Sequence, residues 1–252
     1  MITSQDPELN PTGTLTGKCY ICDKEVDFSV DSPADGKPVN WRETLSCPGC
    51  GLINRWRSCL HLFDVVCKPA ENDRIYLTER LSPVYENLAA RYPSLFSSEY
   101  FPGAKPGEMV QTHGTEIRHE DVTRLSFADT SMDSVLCFDV LEHVPDYKLA
   151  LKEFYRVLNC GGGAIISVPF SFQQQTVVRA IKNSDGGIEH LMEPCFHGDP
   201  LSAEGVLSYY DFGMELLDDM RSVGFKECFL VCFNSRTWGY LNNNIVFVAR
   251  KL

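Results

Sequence analysis

A chain of 252 residues, 44% of them hydrophobic, is long enough to bury one large α/β core beside a small module. Its formal net charge of −11 argues against a nucleic-acid partner, which needs a basic face. No apolar run approaches a membrane span, and the eleven cysteines follow no basic-then-apolar leader, so thiols and metal in the cytoplasm are expected rather than secreted disulfides.

Residues 1–16 are polar, carry Pro7, Pro11 and Gly13, and read as a loose arm. Residues 17–54 hold two matched knuckles, Cys19-Tyr20-Ile21-Cys22 and Cys47-Pro48-Gly49-Cys50. Each pair offers two thiolates from one tight turn, and the residues between them are expected to form a hairpin or loop that returns the chain. Cys19, Cys22, Cys47 and Cys50 are therefore expected to hold a tetrahedral Zn²⁺ in a zinc-ribbon-like module. Four thiolates leave no open position, which makes the ion structural. The remaining cysteines lie mostly in apolar runs, as small buried hydrophobes.

A connecting helix is expected over 55–72, with Trp56, Leu60, Phe63 and Val66 or Cys67 on one face and Pro69 as its stop. Arg55 and Arg57 flank Trp56 and read as solvated or as ties between modules. Residues 73–252 form the larger domain. Ile75-Tyr76-Leu77 is its first strand, Thr78 to Ser82 a loop, and Ser82-Pro83 a helix start. A strand over 95–100, a loop over 102–114 and a short third strand over 116–121 follow. The apolar run Val135 to Phe138 is a buried strand. A helix over 146–158 is expected to bury Leu149, Phe154, Val157 and Leu158 and to end at Gly161-Gly162-Gly163. Residues 164–169 are the next strand, 170–210 a long excursion of the kind used as a lid or binding loop, and 212–223 an amphipathic helix closed by Gly224. Two late strands, 227–233 and 244–250, finish the chain, with Asn242-Asn243 as a turn signal. Strands alternating with helices imply a doubly wound, mostly parallel sheet whose last pair is antiparallel. Ligands of such sheets bind beyond the carboxyl ends of the strands, where this sequence places Asp139, Glu142 and His143.

The stretch from Met132 to Asp146 resembles the fourth-strand motif of class I S-adenosylmethionine-dependent methyltransferases. The likeness extends through His119 to Phe127 upstream and through Ala150 to Leu158 and Gly161 to Gly163 downstream. The resemblance covers roughly 73–252 and implies a Rossmann-like fold with a seven-stranded sheet and S-adenosylmethionine as cofactor. Thr78-Glu79-Arg80-Leu81-Ser82 departs from the family, which has glycines after its first strand. Ser98-Glu99-Tyr100 and His197-Gly198-Asp199-Pro200 are similar to a zinc-bearing subgroup with a glycine-poor loop, often linked with sugar or polysaccharide biosynthesis.

Glu99 stands 20 residues after Glu79, at the spacing of a ribose-binding acid. The resemblance puts Asp121 opposite the adenine amino group, with Val122 beside it, and Asp139 and Val140 beside the methyl donor. Thr78, Glu79, Ser98 and Tyr100 complete the expected cofactor set. Asp121 reads equally as a turn aspartate. In the excursion, His197, then His190, then His143, are candidate bases for O-methylation, since a histidine titrates near neutrality. Asp199 is placed to orient an imidazole, and the same region offers ligands for a second divalent ion. The acceptor expected is a small molecule or a sugar-containing, glycan-type compound. A non-catalytic binding protein on the same fold, and an RNA methyltransferase with a zinc module, stay open as alternatives. The sequence leaves the oligomeric state undetermined.

Overall fold

A computed structural model describes residues 13–31, 38–112, 114–199 and 201–252. Most of the expected arm therefore lies outside the described residues, as do Pro200 and the side chain of Asp199. The chain divides into two compact units, one of residues 1–66 with 231–245, the other of 67–230 with 246–252.

In the first unit, the strands Thr14–Cys19 and Lys24–Ser29 pair antiparallel, with Leu15 opposite Phe28 and Cys19 opposite Lys24. The first knuckle is thus the turn of a hairpin. Leu15, Cys19, Phe28, Leu45, Cys47 and Leu241 form its small core. The helix expected after it runs Asn54–Val66 and belongs to this unit. Its buried face keeps Leu60 and Phe63 of the expected stripe and loses its ends. Arg57, Cys59, Leu60 and Phe63 are inside, whereas Trp56 and Val66 are only half-buried. Arg57 is fully buried, and its guanidinium donates to the carbonyls of Leu45, Trp238 and Gly239 at 2.8–3.0 Å. Arg55 is buried too and grips Glu43 through two bonds of 2.9 and 3.0 Å. Solvated arginines, one reading of the sequence, are therefore corrected: both organise the unit's interior. Gly239, at φ +61°, lies so close to the Phe28 ring that a Cβ there would meet it at 2.5 Å.

The second unit holds the strands 158–167, 132–138, 75–77 and 95–97, with 227–230 and 246–250, of a mixed sheet whose six strands follow the order 227–235, 240–250, 158–167, 132–138, 75–77 and 95–97. The strands Ile75–Leu77, Leu95–Ser97, Met132–Phe138 and Leu158–Ser167 run parallel. Tyr240–Arg250 pairs antiparallel with Leu158–Ser167. Ile75–Leu77 and Val135–Phe138 are buried at every position, as a central sheet covered on both faces requires. Ser82 caps the helix Pro83–Ala89 by accepting the Tyr85 N–H, and Asp146 caps Tyr147–Val157 through the Leu149 N–H.

Several expectations are corrected here. The third strand, Thr115–Arg118, pairs with Met109–Thr112 in a separate hairpin, inside the stretch read as a loop. Only a bridge between Glu99 and His119 links it to the sheet edge, so the sheet has six strands among the described residues rather than seven. Leu149 is exposed, because the buried stripe runs Tyr147, Ala150, Leu151, Phe154, Val157. The helix ends at Leu158 in extended conformation, and Gly161–Gly163 lie within the next strand. A Cβ on Gly162 would come within 2.8 Å of the Asp133 carbonyl, so the glycine serves close strand approach. Asn242 and Asn243 take left-handed φ inside the last strand rather than at its turn. No helix among the described residues is long and apolar enough to cross a membrane.

Candidate active site and cysteine cluster

The strand order places Ile75–Leu77 between its sequence neighbour Leu95–Ser97 and the later strand Met132–Phe138. The order reverses there, and at such a switch point the loops leaving the carboxyl ends open a crevice for a ligand. The first loop, 78–82, begins with the Thr78 N–H donating to the Leu136 carbonyl at 3.0 Å. None of its residues has positive φ, so its path needs no glycine. The amides of Arg80 and Leu81 instead both donate to Oε1 of Glu99, each at 2.8 Å. A carboxylate accepting two N–H groups is a strong, charge-assisted clamp. Glu99 thus organises the loop from the position expected of the ribose acid. Glu79, half-buried, sits in that loop.

The neighbouring residues are placed less uniformly. Ser98 is buried, with its hydroxyl 2.8 Å from that of Tyr76, an interior contact. Tyr100 is exposed, its ring 5.3 Å from that of His119. Asp121 accepts both the N–H and the hydroxyl of Thr123 at 2.9 and 2.7 Å, which is the turn role foreseen as its competitor. Val122 is apolar and buried beside it.

Asp139, the residue after Phe138, adopts φ +54°, a conformation that aspartate tolerates better than most residues. It holds itself to the adjacent strand twice. Its N–H donates to the Ser167 carbonyl at 2.9 Å, and its carboxylate accepts the Ser167 hydroxyl at 2.8 Å. Val140 then leads into the single 3₁₀ turn Leu141–His143.

That turn aims Glu142 and His143 at the excursion. In the excursion, the strand Phe196–Asp199 pairs with Ser202–Leu207, placing His197 opposite Val206. His197 Nδ1 lies 3.2 Å from His143 Nε2 and 3.6 Å from Glu142 Oε1. His143 Nε2 is 3.7 Å from the same carboxylate oxygen. On its other side, His143 Nδ1 lies 2.8 Å from the Leu207 carbonyl. The carbonyl can only accept, so Nδ1 carries a proton, and Nε2 faces His197 and Glu142. Glu142 is fully buried, and among the described residues neither carboxylate oxygen lies within hydrogen-bond distance of a partner. Burial, with the Asp139 charge adding to it, pushes its carboxyl up to about 7.

The structure thus brings His143 and His197 together across 54 residues. His190 is exposed on the strand Ile188–His190 and is not part of this cluster. Glu142 is the member that sequence reasoning underused; only its place beside His143 after a buried strand signalled it. A second feature was missed as well. A cavity of about 250 Å³ lies beside the start of the helix Tyr147–Val157, lined among others by Asp146, Lys148, Thr176, Tyr210 and Glu215. Lys148 is paired with Asp219 at 2.8 Å at its edge.

In the first unit the four knuckle sulfurs lie within 4.8 Å of one another. Cys19 and Cys50 are 3.8 Å apart, Cys22 and Cys47 3.7 Å. Those separations are far too long for disulfides, in which the sulfurs are about 2.05 Å apart. They fit a tetrahedral Zn²⁺, whose bonds of about 2.3 Å set sulfurs about 3.8 Å apart. Gly49 passes so near that a Cβ would touch the Cys22 sulfur at 3.0 Å.

The family model described as a methyltransferase domain matches residues 96–166. That span contains Glu99, Asp121, Asp139, Glu142 and His143 and is similar to a methyltransferase domain. A demethylmenaquinone methyltransferase of Listeria welshimeri is 31% identical over 127 residues, 49% of each chain. A probable S-adenosylmethionine-dependent methyltransferase of Mycolicibacterium smegmatis is 39% identical over 54 residues, 21% of each chain. This chain spans about half the length of the Listeria relatives it matches. The crystal structure of an S-adenosylmethionine-dependent methyltransferase from Mesorhizobium loti shares the fold, with a TM-score of 0.50 and 12% identity, over 81% of this chain and all of that one.

Proposed function

We propose that this protein transfers a methyl group from S-adenosylmethionine to a hydroxyl of a small-molecule acceptor. The observation that carries the reading is the Glu142, His143 and His197 cluster, assembled from distant segments at the turn that follows the strand Met132–Phe138 next to the switch point. Bound S-adenosylmethionine supplies an electrophilic methyl group on a sulfonium centre. Glu99 is assigned to the ribose, the 78–82 loop to the amino-acid end, and the Asp121-Val122 turn to the adenine. His197, partly exposed at the mouth of the cluster, is the group assigned to take the hydroxyl proton, oriented by His143 and the buried carboxylate. The Listeria relatives act, by their name, on demethylmenaquinone, which favours a small acceptor; a sugar-containing one is the narrower version. The Cys19, Cys22, Cys47 and Cys50 cluster is assigned a structural Zn²⁺, and the setting is taken to be cytoplasmic.

Calorimetric titration with S-adenosylmethionine is the test. Micromolar binding, about −8 kcal/mol, that weakens at least tenfold in Glu99→Ala supports the cofactor assignment. A folded, zinc-loaded protein that binds none would replace the enzyme by a non-catalytic module of the same fold. Thiolate-bound zinc should fall from one ion at the knuckles to none in Cys19→Ser; an ion still held by thiolates, read from the sulfur-to-cobalt band after cobalt substitution, would refute the four-thiolate site.

A further inference from the structure

The cluster of Glu142, His143 and His197 has the geometry of a second metal centre. Its three donor atoms, Glu142 Oε1, His143 Nε2 and His197 Nδ1, are separated by 3.2, 3.6 and 3.7 Å. Divalent ions bound to imidazole and carboxylate at about 2.0–2.2 Å place neighbouring ligand atoms roughly 3.0–3.5 Å apart. The triangle thus needs only a few tenths of an ångström of contraction around an ion.

Three further observations point the same way. Glu142 is fully buried, and among the described residues neither of its oxygens makes a hydrogen bond, an arrangement that costs several kcal/mol unless a cation or proton compensates it. His143 is held by the Leu207 carbonyl through Nδ1, which is how proteins fix a ligating imidazole so that Nε2 meets the ion. The exposure of the side chains rises from 0% at Glu142 through 13% at His143 to 34% at His197, so the open side of the triangle faces outward rather than into the core. The backbone also fixes the third donor. The Tyr209 N–H donates to the Glu142 carbonyl at 2.7 Å, tying the 3₁₀ turn to the excursion. Gly205, at φ +76°, lets its strand approach His197 so closely that a Cβ would stand 2.3 Å from the His197 carbonyl.

We propose that Glu142, His143 and His197 form a three-ligand site for a divalent transition-metal ion, separate from the four-cysteine site, with open positions toward the crevice. Two imidazoles and one carboxylate suit Zn²⁺, Mn²⁺, Fe²⁺ or Co²⁺ rather than Ca²⁺ or Mg²⁺. This deepens the proposed methyl transfer and rests on it for its role. An acceptor hydroxyl reaching the open positions would have its pKa lowered by the ion, and His197 would then act as ligand rather than as base.

The test is metal stoichiometry and spectroscopy on the full chain, with S-adenosylmethionine binding followed in parallel. Cobalt-substituted wild-type protein should hold two ions, one with the sulfur-to-cobalt charge-transfer band of a thiolate site and one with only the weaker visible bands of nitrogen and oxygen ligands. Glu142→Gln, nearly isosteric, and His197→Ala should each lose the second ion, or weaken it at least tenfold, and keep the thiolate band. One ion per chain in excess cobalt, or two ions unchanged in both variants, would overturn the site. Because the thiolate band reports folding and cofactor titration reports the enzyme reading, loss of the metal site alone leaves methyl transfer with a histidine base. Loss of cofactor binding alone leaves the metal site and removes its assigned role.

Discussion

Arg57→Met should loosen the cysteine unit by about 3 kcal/mol. The guanidinium is fully buried, bonded to three carbonyls, and centred 3.9 Å over the Phe28 ring. Methionine keeps much of the stem's volume and removes every donor. An orphaned buried carbonyl costs about 1–3 kcal/mol, and a desolvated cation–ring contact adds about 2 kcal/mol. Removing the buried charge returns several kcal/mol of desolvation, and the direction of that penalty shows in the guanidinium pKa, which burial presses below its ordinary value. Three orphans and a lost ring contact outweigh the relief, hence the net loss. Leu45, one of the three acceptors, lies two residues before Cys47, so the loss should reach the zinc proposed for the knuckles. The assay is urea unfolding followed by intrinsic fluorescence, with released zinc read by a chromogenic chelator. Zinc should leave at clearly lower urea in the variant than in the wild type. Arg57→Lys should recover little, because a point ammonium cannot span acceptors at residue 45 and residues 238–239 as a planar fork does. A variant within about 0.5 kcal/mol of wild type, the spread of an ordinary surface change, would show that the carbonyls find other donors and that the arginine is dispensable.

Three other outcomes follow from single contacts. Glu99→Ala removes the acceptor of the Arg80 and Leu81 amides, so hydrogen exchange at those two should accelerate by roughly tenfold or more, the equivalent of about 1.5 kcal/mol or above; unchanged exchange would mean that the loop stands without the carboxylate. Asp139→Ala forces a Cβ residue without a polar side chain into φ +54° and breaks the Ser167 bond, a loss of about 2 kcal/mol in urea unfolding, whereas Asp139→Gly keeps the backbone and loses about half as much; equal losses would remove backbone strain from the account. Gly205→Ala should open the strand pair around His197, seen as faster exchange across 196–207 with the central sheet protected as before; a silent change would contradict the close approach.

The parts of the fold legible in the sequence are those whose signal is local. Ile75–Leu77 and Val135–Phe138 are apolar at every position because a central parallel strand is covered on both faces. Ser82 and Asp146 announce helices because a short acceptor before a helix satisfies its orphan amides. Errors arose where one local signal has two uses. Gly161–Gly163 looked like a helix stop, but the chain turns straight from Leu158 into a strand, and the glycines let Gly162 pass close to the Asp133 carbonyl. Leu149 looked buried because it is apolar, although Ala150 and Leu151 already fill the stripe set by Phe154 and Val157. The arginines beside Trp56 read as solvated or as ties between modules because nothing near them in sequence shows that the carbonyls of Trp238 and Gly239 await a donor.

The site divides in the same way. The knuckles were legible because both halves of each pair sit three residues apart. His197 was legible only as a candidate, since the residues that give it chemistry lie 54 and 55 positions upstream in the turn after a different strand. What joins them is the pairing of 196–199 with 202–207, and that pairing does two jobs at once. One strand carries His197; its partner carries the Leu207 carbonyl that sets the tautomer of His143. The excursion is therefore more than a cover over the crevice. It supplies one donor of the cluster and orients another, so any movement of these two strands must alter both imidazoles together.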